Sequence, residues 1–176
     1  MAETSPSVPP KTSWPTWGLI AAVITLIADQ ASKYFIIHTL RVPGNFVELL
    51  PFFQFNLQYN TGISFSMFNS GATTTKIMLL AVQLGITGVL IWWMWRLNRL
   101  WLQTASGLII GGAVGNVLDR ALNGAVTDFL LFHWREWYFP FFNLADTAIT
   151  IGAVMWLLDA LFQGNHDAPA QKEPTS

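Results

Sequence analysis

Four stretches of this chain are long and apolar, and they constrain its fold more than any other feature: Trp17–Ile37, Ile77–Trp95, Leu100–Leu118 and Leu144–Phe162. A helix rises about 1.5 Å per residue and the hydrocarbon core of a bilayer is roughly 30 Å thick, so each stretch is about long enough to cross. Of the 176 residues, 52% are hydrophobic and 11% charged. An average soluble domain carries about 25% charged residues. The expectation is a mainly α-helical membrane protein, a bundle of four transmembrane helices.

Several function classes drop out. The net charge is −1 and no basic run exists, so nucleic acid is not expected as a partner. The absence of cysteine excludes disulfides, thiol catalysis and Cys-ligated metals. His38, His133 and His166 are scattered and form no His-Glu-x-x-His pattern, so neither a metal site nor a cofactor is expected.

The spans divide the chain into a tail (1–16), a membrane domain (17–162) and a second tail (163–176). Pro6, Pro9, Pro10 and Pro15 make the first tail a disordered polar segment without the charged start and short apolar core of a cleaved signal peptide. The second tail is also polar. Arg96 and Arg99, flanked by Trp92, Trp93, Trp95 and Trp101, mark a short connector between spans two and three as a cytoplasmic interface. Both termini are then cytoplasmic. Asp159, near the same side, is expected simply to meet water.

Between the first two spans the texture changes. Phe53-Gln-Phe-Asn-Leu-Gln-Tyr-Asn60 alternates apolar and amide residues with the period of a half-buried strand, and Pro51 suits its start. An open strand edge cannot lie in lipid, so this β region, about residues 45–60, belongs at the membrane surface. Asn60-Thr61-Gly62 reads as a turn, and Ile63–Phe68 is too short to span and lies on the surface.

Polar residues inside the spans carry the functional signal. Asp29 and Lys33 stand at i and i+4 on one helical face, either as a self-neutralising ion pair or as a pair with a direct role. Gly107, Gly111 and Gly115 form a small-residue stripe that admits a close neighbour. Gly112, Asn116 and Arg120 form a second stripe, which presents an amide and a guanidinium at the membrane boundary. Asp128 and Asp146 each flank an apolar span and are joined by the aromatic connector Leu131–Phe142, which looks like an outward loop with a lid at Trp134–Tyr138. Two carboxylates in a poorly solvated site share a proton, so one can take a proton from water while the other donates one. Such a pair also suits a proton- or cation-coupled carrier, and a structural scaffold is the third possibility.

At this point the residues resemble a known family. Asp29-Gln-Ala-Ser-Lys33, Asn60-Thr-Gly-Ile-Ser-Phe-Ser66, Gly111-Gly-Ala-Val-Gly-Asn-Val-Leu-Asp-Arg120, Val126-Thr-Asp-Phe129 and Phe142-Asn-Leu-Ala-Asp146 stand in the order found in bacterial lipoprotein signal peptidase (signal peptidase II), an intramembrane aspartic endopeptidase. The resemblance implies a catalytic dyad of Asp128 and Asp146. It implies substrate- and inhibitor-contacting positions at Asn60, Asn116, Arg120 and Asn143, with Asp29 and Lys33 in the family's first motif. It implies a small extracytoplasmic β-cradle, a periplasmic lid and a site near the outer face of the bacterial inner membrane. The implied reaction removes the signal peptide from diacylglyceryl-modified prolipoproteins, before the lipidated cysteine. Membrane lipids and the inhibitor globomycin are the further partners, and the enzyme is expected to be a monomer without cofactor.

Overall fold

The computed structural model describes residues 14–62 and 72–163. Their order is α1 (Thr16–Leu40), β1 (Phe46–Leu50), β2 (Phe53–Asn60), α2 (Ala72–Met94), α3 (Leu100–Asn123), β3 (Val126–Trp134), β4 (Trp137–Tyr138) and α4 (Leu144–Gln163). The expected segment Ile63–Phe68 and the two polar tails, apart from the few residues next to α1 and α4, lie outside the described residues. α3 ends where Gly124 turns to φ +73°, a conformation that favours glycine, and donates its N–H to the Arg120 carbonyl at 3.1 Å.

The four helices are inside out by the standards of a soluble protein. Ile20, Val23, Ile24 and Ile27 on α1, Val82, Ile86 and Val89 on α2, and Leu157 and Leu161 on α4 are all exposed. Thr25, Asp29, Lys33, Gln103, Ser106, Asn116 and Asp119 are buried. Apolar surface on this scale is stable only against a nonaqueous solvent, so the chain is a membrane protein. α1, α2 and α4 are long and apolar enough to cross a bilayer. α3 falls short by composition because its polar residues face inward, and it packs against each of the other three helices. It also runs past the expected Leu118 boundary to Asn123, bringing Asp119 and Arg120 within its final turns.

Both glycine stripes find neighbours. A Cβ added at Gly107 would meet the Gly18 backbone, and one at Gly111 would meet the Ala22 carbonyl, so this stripe faces α1. A Cβ at Gly115 would lie 2.5 Å from Asp29 Oδ2. On the second stripe, a Cβ at Gly112 would lie 2.5 Å from the Ala145 carbonyl of α4. α3 is thus the axle of the bundle, its backbone nearly touching two neighbours.

One end of the bundle carries the sheet. Its order is β1-β2-β3-β4, with every neighbouring pair antiparallel. The alternation in β2 is used as expected: Leu57 is buried with Ile36, Leu40 and Phe129, and the amide face is left for other partners. Two expectations need correction. Pro51 lies in the turn between β1 and β2 rather than beginning a strand. Residues 126–134, including the first part of the expected loop, form the strand β3, because its residues pair with β2 through Gln58↔Asp128 and Phe53↔Phe132. The Trp134–Tyr138 stretch is a tight hairpin, with Arg135 at φ +54°.

The opposite end is closed by aromatic and ionic contacts. Trp14 meets Trp95 at 5.1 Å and Trp93 meets Trp156 at 5.0 Å between ring centroids. Asp159, expected only to meet water, lies 2.7 Å from Arg99.

The helix contacts make a direct prediction. Gly111→Val should lower stability by about 1–3 kcal/mol through overpacking against α1. Gly88→Ala, where an added Cβ meets nothing within 4 Å among the described residues, should be neutral or slightly stabilising. Thermal unfolding in detergent compares the two; equal losses would show that close helix approach is not what the glycines serve.

Candidate active site

The site begins with a buried ammonium. Lys33 Nζ lies 2.8 Å from Asp29 Oδ2, 3.0 Å from Asp119 Oδ2 and 3.0 Å from Asn116 Oδ1, so its three N–H donors have three acceptors. Removing such charges from water is unfavourable unless every group is paired, and here the carboxylates have further partners. Asp29 Oδ1 accepts the Ala145 N–H at 2.9 Å, and Asp119 Oδ2 accepts the Thr127 N–H at 2.9 Å. Gln30 Nε2 adds bonds to Asp29 Oδ2 at 3.1 Å and to Asp119 Oδ1 at 3.3 Å. The two gripped amides belong to the residues immediately before Asp146 and Asp128. One ion cluster therefore holds the start of α4 and the start of β3 against α1 and α3.

Asp146 is placed by the local chemistry of a helix start. Asn143 is the N-cap of α4: its Oδ1 accepts the Asp146 N–H at 2.9 Å, and Asp146 Oδ2 accepts the Asn143 N–H at 3.2 Å. This is a reciprocal capping box, which satisfies two amides that the first turn leaves unpaired. Asn143 Nδ2 reaches Asp128 Oδ1 at 2.7 Å and Asn116 Oδ1 at 3.2 Å. Asn116 Nδ2 completes the circuit on Asp146 Oδ1 at 2.8 Å. Since Asn116 Oδ1 accepts from Lys33, the lysine determines which end of that amide faces Asp146.

Asp128 is placed by the sheet. Its register opposite Gln58 puts it on the amide face of β2, where Asn60 Nδ2 donates to Asp128 Oδ2 at 2.9 Å. Asn60 Oδ1 also accepts the Gly62 N–H at 2.8 Å, so Asn60 is both the turn residue and the aspartate's partner. Asp128 is 1% exposed. Burial pushes its carboxyl up to about 6; the Asn60 bond opposes this, the Asp146 charge adds to it, and Asn143 and Lys33 oppose it.

The structure redistributes the other candidate residues. Asp29, Lys33, Asn116 and Asn143, grouped above with the substrate-contacting positions, are buried and bonded to one another or to the two aspartates. In an apolar surround their nearest polar partners are each other. Arg120 stands apart: Nη1 donates to Gln83 Oε1 of α2 at 2.9 Å, Nε has no partner among the described residues, and the side chain lines a cavity of about 170 Å³ with Thr61, Leu79 and Leu80. A second cavity, of about 670 Å³, has Asp146 in its wall together with Phe132, Trp137, Phe139 and Phe142. Asp119, Gln30 and Gln83 carry structural roles that sequence reasoning missed. Asp119 was detectable in principle, three residues beyond Asn116 and hence on the same helical face.

Lys33→Met should cost about 3–5 kcal/mol, because it leaves two buried carboxylates without their cation. Adding Asp29→Asn and Asp119→Asn to it should recover part of that loss. Thermal unfolding of the purified variants checks this, and additive losses across the three substitutions would contradict a single ion cluster.

The chain is similar to known proteins in both sequence and fold. The family model described as signal peptidase (SPase) II matches residues 21–162. The lipoprotein signal peptidase of Pseudomonas syringae pv. tomato is 41% identical over 140 residues, 78% of this chain and 81% of that protein. The one from Pseudomonas aeruginosa (strain PAO1) is 40% identical over 140 residues, 78% of this chain and 83% of its own length. Among solved structures, a bacterial membrane enzyme determined by the in meso method at 1.9 Å resolution is similar with a TM-score of 0.72 at 30% identity, covering 88% of this chain and 98% of that one. A second, at 2.3 Å resolution, gives 0.71 at 28% identity, covering 94% and 98%. These matches lead to one conclusion: the chain belongs to the signal peptidase II family of lipoprotein signal peptidases, which are aspartic peptidases.

Proposed function

We propose that Asp128 and Asp146 are the catalytic dyad of this peptidase and that they hydrolyse the bond before the lipidated cysteine of a diacylglyceryl-modified prolipoprotein. The observation that carries this is Asn143, whose side chain binds Asp128 while its backbone binds Asp146. One residue thus holds two carboxylates from separate elements at a common site. With a peptidase family established, the carrier and scaffold readings lose their basis.

In the proposed mechanism Asp128 holds the shared proton, consistent with its raised pKa. Asp146 removes a proton from water as the water oxygen adds to the scissile carbonyl. Asp128 passes its proton to the carbonyl oxygen, giving a neutral gem-diol. A proton from Asp146 then goes to the amide nitrogen and Asp128 takes one back from a diol hydroxyl as the C–N bond breaks. The products are a carboxylic acid and the amine of the cysteine, and the dyad again holds one proton. Arg120 would hold backbone carbonyls of the substrate from its own cavity. Asp29, Lys33, Asn116 and Asn143 serve as positioning residues.

The same reading treats residues 17–162 as the peptidase domain, with α3 as a fourth span shielded by its neighbours and both termini in the cytoplasm. The sheet end would face outward from the bacterial inner membrane. The β3–β4 hairpin would act as part of a lid, the enzyme would work as a monomer, and globomycin would compete with substrate at the dyad.

Asp128→Asn and Asp146→Asn should each reduce cleavage of a diacylated prolipoprotein by several orders of magnitude while leaving the fold intact. Cleavage assays beside thermal unfolding test this; full activity in either variant would remove the dyad. A raised pKa also has a thermodynamic signature. Asp128 contributes stability that is fully present below the ordinary carboxylate range and is lost as pH rises through about 6. The unfolding midpoint should therefore fall between about pH 4 and pH 6 more steeply in the parent protein than in Asp128→Asn. Matching slopes would show that Asp128 does not titrate in that window.

A further inference from the structure

We propose that the larger cavity, between the β3–β4 hairpin and the first two turns of α4, is the subsite for an acyl chain of the substrate's own diacylglyceryl group. The inference rests on the peptidase reading above. The cavity holds about 670 Å³, within the roughly 300–1,000 Å³ range of ligand sites.

Its lining is more apolar than its sequence suggests. Thr147 Oγ1 donates to the Asn143 carbonyl at 2.9 Å and Thr150 Oγ1 to the Asp146 carbonyl at 2.8 Å. Both hydroxyls are therefore turned into the helix, and what remains to the cavity is largely methyl groups. Opposite them, Phe142 stacks on Phe132 at 5.8 Å, and Phe139 meets Phe142 edge-on at 5.7 Å, so the aromatic wall is a packed unit rather than separate side chains. Trp137, Pro140, Phe141 and Ile151 complete the lining. Asp146 is the one charged group in the wall. A ligand here needs almost no hydrogen bonding, and one end of it must lie beside a dyad carboxylate.

A peptide main chain fits such a surface poorly, because each residue brings an N–H and a C=O that would be left unpaired. A hydrocarbon chain fits it well. The chain carried by the cysteine starts one residue from the scissile carbonyl, so it leaves the dyad at the place where this cavity begins. The cavity also runs along α4 at the level of its first two turns, where Thr150 and Ile151 are exposed on the outer surface of the bundle. The smaller cavity at Arg120 offers a guanidinium and is the complementary place for peptide carbonyls.

Ile151→Trp, which fills the cavity from a position five residues beyond Asp146 and off its helical face, should raise KM by about tenfold or more for a prolipoprotein bearing long-chain diacylglyceryl. The penalty should shrink steadily as the acyl chains are shortened. An equal penalty at every chain length, or a penalty that follows the residue before the scissile bond, would assign the cavity to peptide and overturn the proposal. A second measurement does not depend on that variant folding. A substrate with a diazirine at the acyl terminus, bound to Asp128→Asn, should label Phe139 or Ile151 on irradiation, and labelling confined to other parts of the chain would overturn it. Failure of the parent enzyme to cleave any lipidated precursor would instead remove the peptidase reading itself.

Discussion

The arrangement of the site depends on one buried cation. Lys33 sits between Asp29 and Asp119, and each of those carboxylates grips the backbone amide immediately before one of the two dyad candidates. Ala145 leads into Asp146 and Thr127 into Asp128. Hydrogen-bond polarity carries the effect further, because the third Lys33 donor orients the Asn116 amide and that amide addresses Asp146. In a low-dielectric interior these bonds are strong when complete and costly when broken, so the network behaves as a unit. A residue pair that could be read as mere self-neutralisation thus sets the geometry of two elements distant in sequence.

Such a cluster can exist because the bundle reverses the usual distribution of polarity. Lipid makes no demand for polar surface, so Ile, Val and Leu lie outside while Asp, Lys, Asn and Gln collect along α3. Association then relies on close packing rather than on apolar burial, and the glycines of α3 supply it on two faces. Close approach to α1 also brings Gly115 against Asp29; a larger residue there would separate the cation from its acids. Packing and electrostatics are therefore one constraint here, not two.

The sheet has a different task. It brings Asp128 from outside the helices to the edge of the same network, with Asn60 beside it, and leaves the hairpin over the apolar cavity. α4 brings Asp146 through a capping box whose two members both belong to the site. The two dyad candidates are thus brought together from a strand and a helix start, two local structures of unlike stiffness, and joined by a single asparagine, Asn143. That division gives one carboxylate a wall on the cavity and leaves the other almost wholly enclosed.

Much of this was legible in the residue pattern. Apolar run length announced the membrane, alternation over residues 53–60 announced a strand, and spacing placed Asp29 with Lys33 and separated the two stripes of α3. These are local periodicities, and the backbone geometry of helices and strands converts them directly into faces. Pairing between distant segments is not local. Residues 131–134 read as the start of a loop because their partner strand lies far back in the chain, and only the register with β2 makes them part of β3. The same holds for the site. The sequence by itself determined that two acids stand beside membrane spans and that amides and a lysine accompany them. Only the tertiary structure decided that Lys33, Asp29, Asn116 and Asn143 support those acids from within, that Asp119 joins them, and that Arg120 turns instead to α2, because a buried polar group takes whichever partner the fold brings within reach.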